Sequence, residues 1–110
     1  MIEKFVPEAG DIVWLEFSPQ TGHEQAGHRP ALVLSPSSYN GKRGMMVCCP
    51  LTSQVKGYPF EVEIDKNGVA LSAQVKSLDW KARNASFKGK AHPAGIAKVR
   101  ANIKALVGIK

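Results

Sequence analysis

Residues 10–36, G-D-I-V-W-L-E-F-S-P-Q-T-G-H-E-Q-A-G-H-R-P-A-L-V-L-S-P, contain two apolar runs separated by a polar segment. The first run, residues 11–17, is rich in β-branched and aromatic residues, and the second, residues 31–35, is more continuously apolar. Both compositions predict strands, of which the second is the more buried. The segment between them, residues 18–29, is too polar for a core element, so we expect a long loop that is functional or mobile.

Four further strands and one helix are predicted downstream. In residues 60–64 the apolar side chains alternate with glutamates, which indicates a half-buried strand. After Pro93 apolar residues recur at helical spacing as far as Val107, which predicts an amphipathic helix that ends at Gly108. Six short strands within about ninety residues predict a small barrel, so the chain is expected to be mainly β with a C-terminal helix. The remaining predicted strands are residues 45–51, stopping near Pro50, 69–78 and 86–91.

The size and composition of the chain limit its class. With 110 residues, 44% of them hydrophobic and 22% charged, we expect one globular domain over residues 1–110. No apolar window is long enough to span a bilayer and no secretory signal is visible, so the expected compartment is the cytoplasm. Cys48 and Cys49 are adjacent, which rules out an ordinary disulfide between them, and the histidines lack the spacing of a zinc site with these cysteines.

Positive charge is concentrated at the end of the chain. The formal net charge is +6, and residues 81–110 contain eight Lys and Arg but no Asp or Glu. Such a block attracts phosphates or an acidic protein partner. The alternative is a solvated helix face followed by a soluble tail.

The polar loop contains four residues whose side chains could take part in catalysis. His23 and His28 can carry protons, Glu24 is a carboxylate, and Arg29 is a permanent cation next to a buried strand. A zinc-protease H-E-x-x-H helix is excluded, because Gly27 stands where the second histidine would be needed.

Arg29 and Thr52 are candidates for holding a phosphate. Arg29 suits a phosphate, and Thr52 follows the predicted third strand, where its hydroxyl could lie beside Arg29. For Arg29 the alternative is an ion pair with Glu24 or Asp11, and for Thr52 the alternative is a turn residue.

Six ordered blocks of the sequence resemble one known family. They cover nearly the whole chain, and the sequence is similar to the MazF/PemK/Kid toxins in these blocks. The blocks are G-D-I-V-W at 10–14, G-H-E-Q-A-G-H-R-P-A at 22–31, V-L-S-P at 33–36, T-S-Q-V-K-G-Y-P-F-E-V at 52–62, G-V-A-L-S-A-Q-V-K-S at 68–77 and K-A-R at 81–83.

The resemblance implies a fold, an activity and partners. The expected fold is the SH3-like antiparallel barrel that these toxins share with the CcdB gyrase poisons. The expected activity is metal-independent, cofactor-free cleavage of single-stranded message RNA, which halts translation and leaves 2′,3′-cyclic phosphate and 5′-hydroxyl ends. The family's proteins are homodimers neutralised by an antitoxin with an acidic disordered tail, and contact with DNA would be only indirect, through the antitoxin.

The resemblance also implies catalytic roles. Arg29 matches the family's catalytic arginine, which we assign to stabilising charge on the phosphorane because its pKa is too high for a base. Thr52 matches the threonine that hydrogen-bonds the scissile phosphate. Glu24 is the preferred candidate for taking the 2′-proton, and His28 and His23 rank second as acid or base.

Further positions match the family's RNA groove. An amide can read base edges and an aromatic ring can stack on an unpaired base, although Phe17 could equally be a core residue. An arginine and an aspartate used in the Kid branch are replaced here by Leu71 and Ala73. The expected RNA-binding residues are Phe17, Gln25, Lys56, Gln74, Lys76 and Arg83.

Two non-catalytic functions are also possible for the same barrel, and the sequence supports them less well than RNA cleavage. A gyrase-directed toxin like CcdB depends on a Trp-Gly-Ile chain end, whereas here Gly108 and Ile109 lack the tryptophan and are followed by a lysine. A plain RNA-binding module would not need Glu24, Arg29 and Thr52 together.

Overall fold

A computed structural model describes residues 5–17, 27–55 and 57–109 of the chain. These residues form seven strands, two α-helices and two short 3-10 helices. The strands are β1 Asp11–Phe17, β2 Gly27–Val33, β3 Met45–Thr52, β4 Glu61–Glu63, β5 Val69–Leu71, β6 Lys76–Asp79 and β7 Ser86–Lys90. The α-helices are α1 Ser37–Arg43 and α2 Pro93–Leu106, and the 3-10 helices are Asp65–Asn67 and Ser72–Gln74.

All the strand pairings are antiparallel, and the sheet order is β4-β5-β3-β2-β1-β7 with β6 also paired to β3. Within the described residues the ladder does not close. Instead, the N–H of Glu16 donates to the carbonyl of Arg83 at 3.2 Å, which ties the end of β1 to the turn that follows β6. The mainly β, barrel-like fold with a C-terminal helix is therefore confirmed.

The second strand begins earlier than the sequence predicted. Residues 27–29 were assigned to the loop, but they extend β2, with Gly27 opposite Phe17 and Arg29 opposite Leu15. Pairing with β1 supplies backbone hydrogen bonds along this segment, and these outweigh its polar composition. The extension fixes the orientation of His28 and Arg29.

The predicted strand over residues 69–78 is wrong, since it is divided into β5, a 3-10 helix and β6. On that edge β3 pairs with β6 as far as Cys48 and with β5 from Leu51 onward. Pro50 lies inside β3 rather than at its end, at the point where this partner changes. The 3-10 helix Ser72–Gln74 bridges the change of partner, which apolar periodicity alone does not reveal.

The predicted strand 60–64 shortens to residues 61–63. Val62 and Ile64 are buried as expected, but Phe60 is 37% exposed and has a φ of 70°. Its backbone belongs to a turn and not to a strand, so the expectation that Phe60 shares the buried face was wrong.

Helix α1 was missed because its sequence, S-S-Y-N-G-K-R, shows no apolar periodicity. Tertiary hydrogen bonds hold it instead. The side chain of Asn40 is 0% exposed, donates to the carbonyls of Pro7 and Ser35 at 2.8 and 2.9 Å, and accepts the Ser35 hydroxyl at 2.6 Å. The indole N–H of Trp80 donates to the Asn40 carbonyl at 3.0 Å.

Two apolar clusters lie on opposite faces of the sheet. One lies under α2, where Val99 packs with Ile12, Leu32 and Leu51. The other contains the side chains that alternate with these on the same strands, such as Leu15, Ala31 and Phe17. Alternation along β1, β2 and β3 therefore decides which of the two clusters each side chain joins.

Cys48 and Cys49 are both buried, free thiols, one on each face of β3. Burial raises the pKa of the Cys48 thiol to about 12 and raises that of Cys49 as well. Both remain protonated at neutral pH. No helix among the described residues is long and apolar enough to cross a membrane.

Candidate active site

Strand alternation gives Arg29 on β2 and Thr52 on β3 the same face of the sheet. This antiparallel ladder ends at the pair Ala31 with Pro50, and Arg29 and Thr52 lie two residues beyond that pair on their own strands. Directly opposed residues of antiparallel strands project from the same face of the sheet. The fold therefore gives these two residues a common face, and their joint contact with a phosphate stays a prediction.

The hydroxyl of Thr52 is held in a fixed position. Thr52 is 7% exposed, and its Oγ1 accepts the N–H of Gln54 at 3.2 Å. This is the turn role that the sequence left as an alternative. Accepting that bond does not use the hydroxyl hydrogen, so Thr52 retains a donor for a phosphate oxygen.

Gly68 supports Thr52 from the neighbouring strand edge. It has a φ of 98° and a ψ of −150°, a region open to glycine and hardly to any other residue. A Cβ on this residue would collide with the carbonyl oxygen of Thr52. The close approach of Gly68 fixes the backbone from which the Thr52 hydroxyl projects.

Arg29 is exposed at the rim, opposite Leu15 of β1. One of its predicted alternative partners, Asp11, is engaged elsewhere. The Asp11 carboxylate accepts Lys90 Nζ at 2.7 Å and the Glu8 N–H at 2.9 Å, four residues away from Leu15 along β1. The hydrogen bond to Asp11 raises the pKa of Lys90.

His28 projects from the other face of the sheet. It lies opposite Glu16, with its Nδ1 at 3.4 Å from Glu16 Oε1, and its ring stacks on Trp14 with centroids 5.4 Å apart. Lys88 Nζ lies 5.2 Å from the centroid of the Trp14 ring. The structure does not bring His28 together with Arg29 and Thr52, and its role as acid or base stays a second-ranked prediction.

Phe17 and Lys76 are in contact. Phe17 is 4% exposed and belongs to the same apolar cluster as Leu15, with Lys76 Nζ 5.8 Å from its ring centroid. This burial favours the core alternative for Phe17. Lys76 contributes a positive charge beside the ring.

Arg83 and Gln74 are the two other expected RNA-binding residues within the part of the chain that the structure describes. Arg83 donates from Nη1 to the carbonyl of Glu16 at 2.9 Å, which holds its guanidinium at the end of β1. Gln74 is half-buried in the 3-10 helix that leads into β6. The remaining predicted residues lie outside the described residues: His23, Glu24, Gln25 and Lys56.

Three features of this region were missed from sequence. The contact of Trp14 with Lys88 needs the pairing of β1 with β7, and the support of Thr52 by Gly68 needs the pairing of β3 with β5. Exposed aromatics at Tyr58 and Phe60 could have been found, because Gly57 and Pro59 are turn residues. Among the described residues, no group of three or more His, Cys, Asp or Glu side chains is placed to hold a metal ion.

Comparison with known proteins gives the family. The model of the PemK-like, MazF-like toxins of type II toxin-antitoxin systems matches residues 8–107. The chain belongs to this family. The toxin is 50% identical to the endoribonuclease toxin MazF of Escherichia coli K12, with 98% of this chain and 100% of that protein covered. It is 36% identical to the endoribonuclease toxin ChpB of the same strain, over 97% and 99% of the two chains.

Solved structures agree with this assignment. The crystal structure of MazF from Deinococcus radiodurans superposes with a TM-score of 0.91 at 49% identity, covering 96% of this chain and 100% of that one. A MazE-MazF crystal structure from the same organism gives 0.87 at 49% identity, covering 97% and 100%. The chain is thus an endoribonuclease toxin of a toxin-antitoxin system, and the non-catalytic alternatives are set aside.

Proposed function

We propose that this endoribonuclease cuts single-stranded message RNA without a metal ion, and that Arg29 and Thr52 hold the phosphate at which the chain is cut. The observation that supports the proposal is the register of β2 and β3, which ends with Ala31 opposite Pro50; continued for two residues along each strand, it would set the Arg29 guanidinium and the Thr52 hydroxyl on one face at one level. A guanidinium can bond two phosphate oxygens at once, and the hydroxyl adds a third donor.

The reaction needs only groups of the RNA and the protein. The ribose 2′-oxygen attacks the adjacent phosphorus, the bond from phosphorus to the 5′-oxygen breaks, and a 2′,3′-cyclic phosphate remains on one fragment. The 2′-proton passes to a base, and the departing 5′-oxygen gains a proton to become a hydroxyl. Arg29 and Thr52 stabilise the negative charge that builds on the phosphorane oxygens.

We assign the base role to Glu24 and keep His28 and His23 as second-ranked candidates. A carboxylate next to an apolar wall can have a pKa raised toward neutrality, as a base requires. His28 ranks behind Glu24 as the base, because its side chain projects from the face opposite to that of Arg29.

The RNA strand is proposed to continue over the basic rim beside the cut. Lys76 and Arg83 supply charge, Gln74 supplies an amide for base edges, and the loop residues Gln25 and Lys56 complete the groove. Phe17 would stack on a base only if Lys76 moves off its ring.

The proposed RNA groove is also the proposed binding surface for the antitoxin. Solved relatives include MazE-MazF complexes, and we propose that an antitoxin with an acidic disordered tail covers the groove of this toxin and meets Lys76, Lys81 and Arg83. Any contact with DNA would be made by that antitoxin. The toxin would act as a single domain over residues 1–110 in the cytoplasm, where message is translated.

A homodimer is proposed through the outer side of α2 and the neighbouring face of β3. The expected use of the β3 edge is wrong, because β2 pairs with one edge of β3 and β5 and β6 pair with the other. A cavity of about 330 Å³ there is lined by apolar side chains that include Val47 and Ile103, and the neighbouring Val107 and Ile109 are 59% and 62% exposed. A second copy would cover these groups. Sedimentation at micromolar concentration should give the dimer mass, and Ile103→Glu should give the monomer; a wild-type monomer would contradict the proposal.

The function is tested by incubating purified protein with a long single-stranded RNA in excess chelator and mapping the fragment ends. Cutting at one recurring short motif with cyclic phosphate ends supports the proposal. Thr52→Val, which keeps the shape and loses the hydroxyl, should abolish most cutting, whereas Thr52→Ser should retain it. Ser53→Ala removes an exposed hydroxyl next to Thr52 and serves as the matched control. No cutting by folded wild-type protein, or cutting only with added metal, would contradict the proposal.

A further inference from the structure

A short 3-10 helix carries Gln74, the residue expected to read a base edge. It comprises Ser72–Gln74, and the N–H of Val75 closes it by donating to the carbonyl of Ser72 at 3.2 Å. Leu71, the residue before it, supplies no side-chain cap. A single 3-10 turn has poorer hydrogen-bond geometry than an α-helix, so its position depends on contacts with the rest of the protein.

Ser72 connects this 3-10 helix to α2. Ser72 is 0% exposed, and its N–H donates to the carbonyl of Phe60 at 3.2 Å. Its hydroxyl oxygen accepts Nδ2 of Asn102 on α2 at 3.4 Å. A buried hydroxyl left without a partner costs free energy, so the bond from Asn102 holds Ser72 in place.

The far end of the same turn also lies beside α2. Val75 lines the cavity of about 330 Å³ together with Ile103, the residue that follows Asn102 on the helix. Helix α2 therefore meets both ends of the turn with two adjacent residues, by a hydrogen bond at Ser72 and by an apolar surface at Val75. Gln74 lies between these two points.

Helix α2 is a fixed support for this turn. Val99 is 0% exposed and packs with Ile12 and Leu32 of the sheet. In the first turn of the helix, a Cβ on Gly95 would lie 2.7 Å from Cδ1 of Ile64, so the helix backbone lies close to the residue after β4. Because packing holds α2 on the sheet, its bond to Ser72 fixes the turn that presents Gln74.

Asn102 itself is an unfavourable choice for the helix. It lies in the interior of α2, where alanine or leucine would stabilise a helix better than asparagine. Its side chain is half-buried, and its amide donates across to Ser72 instead of pointing into solvent. The helix pattern does not require an amide at this position, whereas the contact with the 3-10 helix uses one.

We infer that Asn102 is a positioning residue for base recognition, which acts through Ser72 to fix where Gln74 presents its amide to the RNA. This inference rests on the proposed function and on its assignment of Gln74 to a base edge. Hydrogen bonds weaken steeply as their geometry departs from linear, so an amide that shifts distinguishes bases less well. Arg29 and Thr52 lie on other elements, so the chemical step on the preferred RNA does not depend on Asn102.

The test measures discrimination between bases, defined as kcat/KM for an RNA with the mapped motif divided by kcat/KM for an RNA with one base of the motif changed. Gln74→Ala first identifies the motif position at which discrimination depends on the amide. Asn102→Leu keeps the size of the side chain and removes its donor. It should lower discrimination at that same position by about 2- to 10-fold, the range that one hydrogen bond accounts for, with kcat on the motif RNA nearly unchanged.

Three further variants separate positioning from a general effect on the helix. Asn102→Asp can accept a hydrogen bond from the Ser72 hydroxyl and should keep the wild-type discrimination. Lys98→Ala removes an exposed side chain one turn earlier on α2 and is the matched control. Ser72→Ala should lower discrimination as Asn102→Leu does, and combining the two changes should add little, because both remove the same bond.

The outcomes separate the inference from the function on which it rests. If wild-type protein does not cut RNA, the proposed function fails. If it cuts RNA and Asn102→Leu keeps the wild-type discrimination at the position that Gln74→Ala identifies, only the positioning role is overturned. A Gln74→Ala protein with wild-type discrimination at every position would overturn it too. So would loss of discrimination in an Asn102→Leu protein that sediments as a monomer while the wild type is a dimer, since the dimer and not the bond would then fix Gln74.

Discussion

His28 and Arg29 are neighbours in the sequence, yet they lie in different surroundings. His28 projects from one face of the β1–β2 pair, where it contacts Trp14 and Glu16. Arg29 lies opposite Leu15 and projects from the other face, which by alternation is also the face of Thr52. Both side chains have the chemistry for RNA cleavage, and in the proposed mechanism strand alternation decides which of them faces the phosphate.

The two faces also differ in what lies behind them. The side chain of His28 is 53% exposed, so water screens any charge that it carries. The Arg29 face continues into the apolar cluster through Leu15 and Ala31, which are both 0% exposed. A phosphate held there has an apolar wall on one side, where fixed donors stabilise its charge more strongly.

Replacing Arg29 should produce the largest effect. Arg29→Ala removes the donor pair that faces the phosphorane, and we expect kcat to fall by about 10²- to 10³-fold. Arg29→Lys keeps the charge without the fork of donors and should recover only part of the activity. Single-turnover cleavage measures both rates, and Arg43→Ala, an exposed arginine on α1, is the control. A wild-type kcat for Arg29→Ala would contradict the proposal that Arg29, and not His28, acts on the phosphate.

Replacing Gly68 should displace Thr52, which lies on the same face of the sheet as Arg29. Gly68→Ala combines a positive φ with a collision against the Thr52 carbonyl, and we expect a loss of about 2 to 4 kcal/mol in unfolding free energy. The surviving folded protein should also have a reduced kcat, because Thr52 is displaced. Urea unfolding and cleavage assays measure the two effects.

Gly89→Ala on β7 is the matched control for this change. A Cβ there would meet nothing within 4 Å, so its stability and kcat should stay close to wild type. If Gly68→Ala were as mild as Gly89→Ala, the support of Thr52 by Gly68 would be disproved.

Replacing His28 should have a smaller effect than either. His28→Ala removes the stacking on Trp14 and the contact with Glu16, which are cross-strand interactions worth about 0.2 to 1 kcal/mol each. We expect kcat to fall by less than about 10-fold. Loss of a general acid or base would lower kcat by at least about 10²-fold. Trp14 fluorescence should change at the same time. A loss of kcat equal to that of Arg29→Ala would place His28 in the reaction.

The smallest effect is expected at Glu8, far from both faces. Hydrogen bonds from the N–H groups of Ser37 and Ala9 lower the pKa of the Glu8 carboxyl below 4.5. A lowered pKa in the folded state stabilises the fold above the unfolded value, and this contribution is lost as the pH falls through the folded value.

Unfolding measured against pH checks this prediction. Glu8→Gln should be less stable than wild type at pH 7, and the difference should shrink toward pH 3. Glu63→Gln, an exposed glutamate on β4, is the control. A difference between wild type and Glu8→Gln that did not change with pH would contradict the assignment.

The sequence predicted the parts of the fold whose pattern is local. Alternation and apolar runs placed β1 and β3, and helical spacing placed α2. It missed α1, which depends on the buried hydrogen bonds of Asn40. It also merged β5 with β6, because the 3-10 helix between them, S-A-Q, contains no glycine or proline to mark a break.

The candidate site was predictable as a set of residues but not as an arrangement. Arg29 and Thr52 could be chosen from their chemistry and from the family resemblance, whereas their common level depends on the register of β2 with β3. The separation of His28 from Arg29 required the start of β2 at Gly27, which polar composition concealed. The contact of Gly68 with Thr52 depends on a backbone angle that the sequence does not state.

The most direct test of the central claim is a crystal structure of the toxin with an RNA that carries a 2′-deoxy nucleotide at the mapped cut. The account predicts that the phosphate at the cut lies within hydrogen-bond distance of both the Arg29 guanidinium and the Thr52 hydroxyl, on the face shared with Leu15. A phosphate bound on the opposite face, against His28 and Trp14, would contradict it.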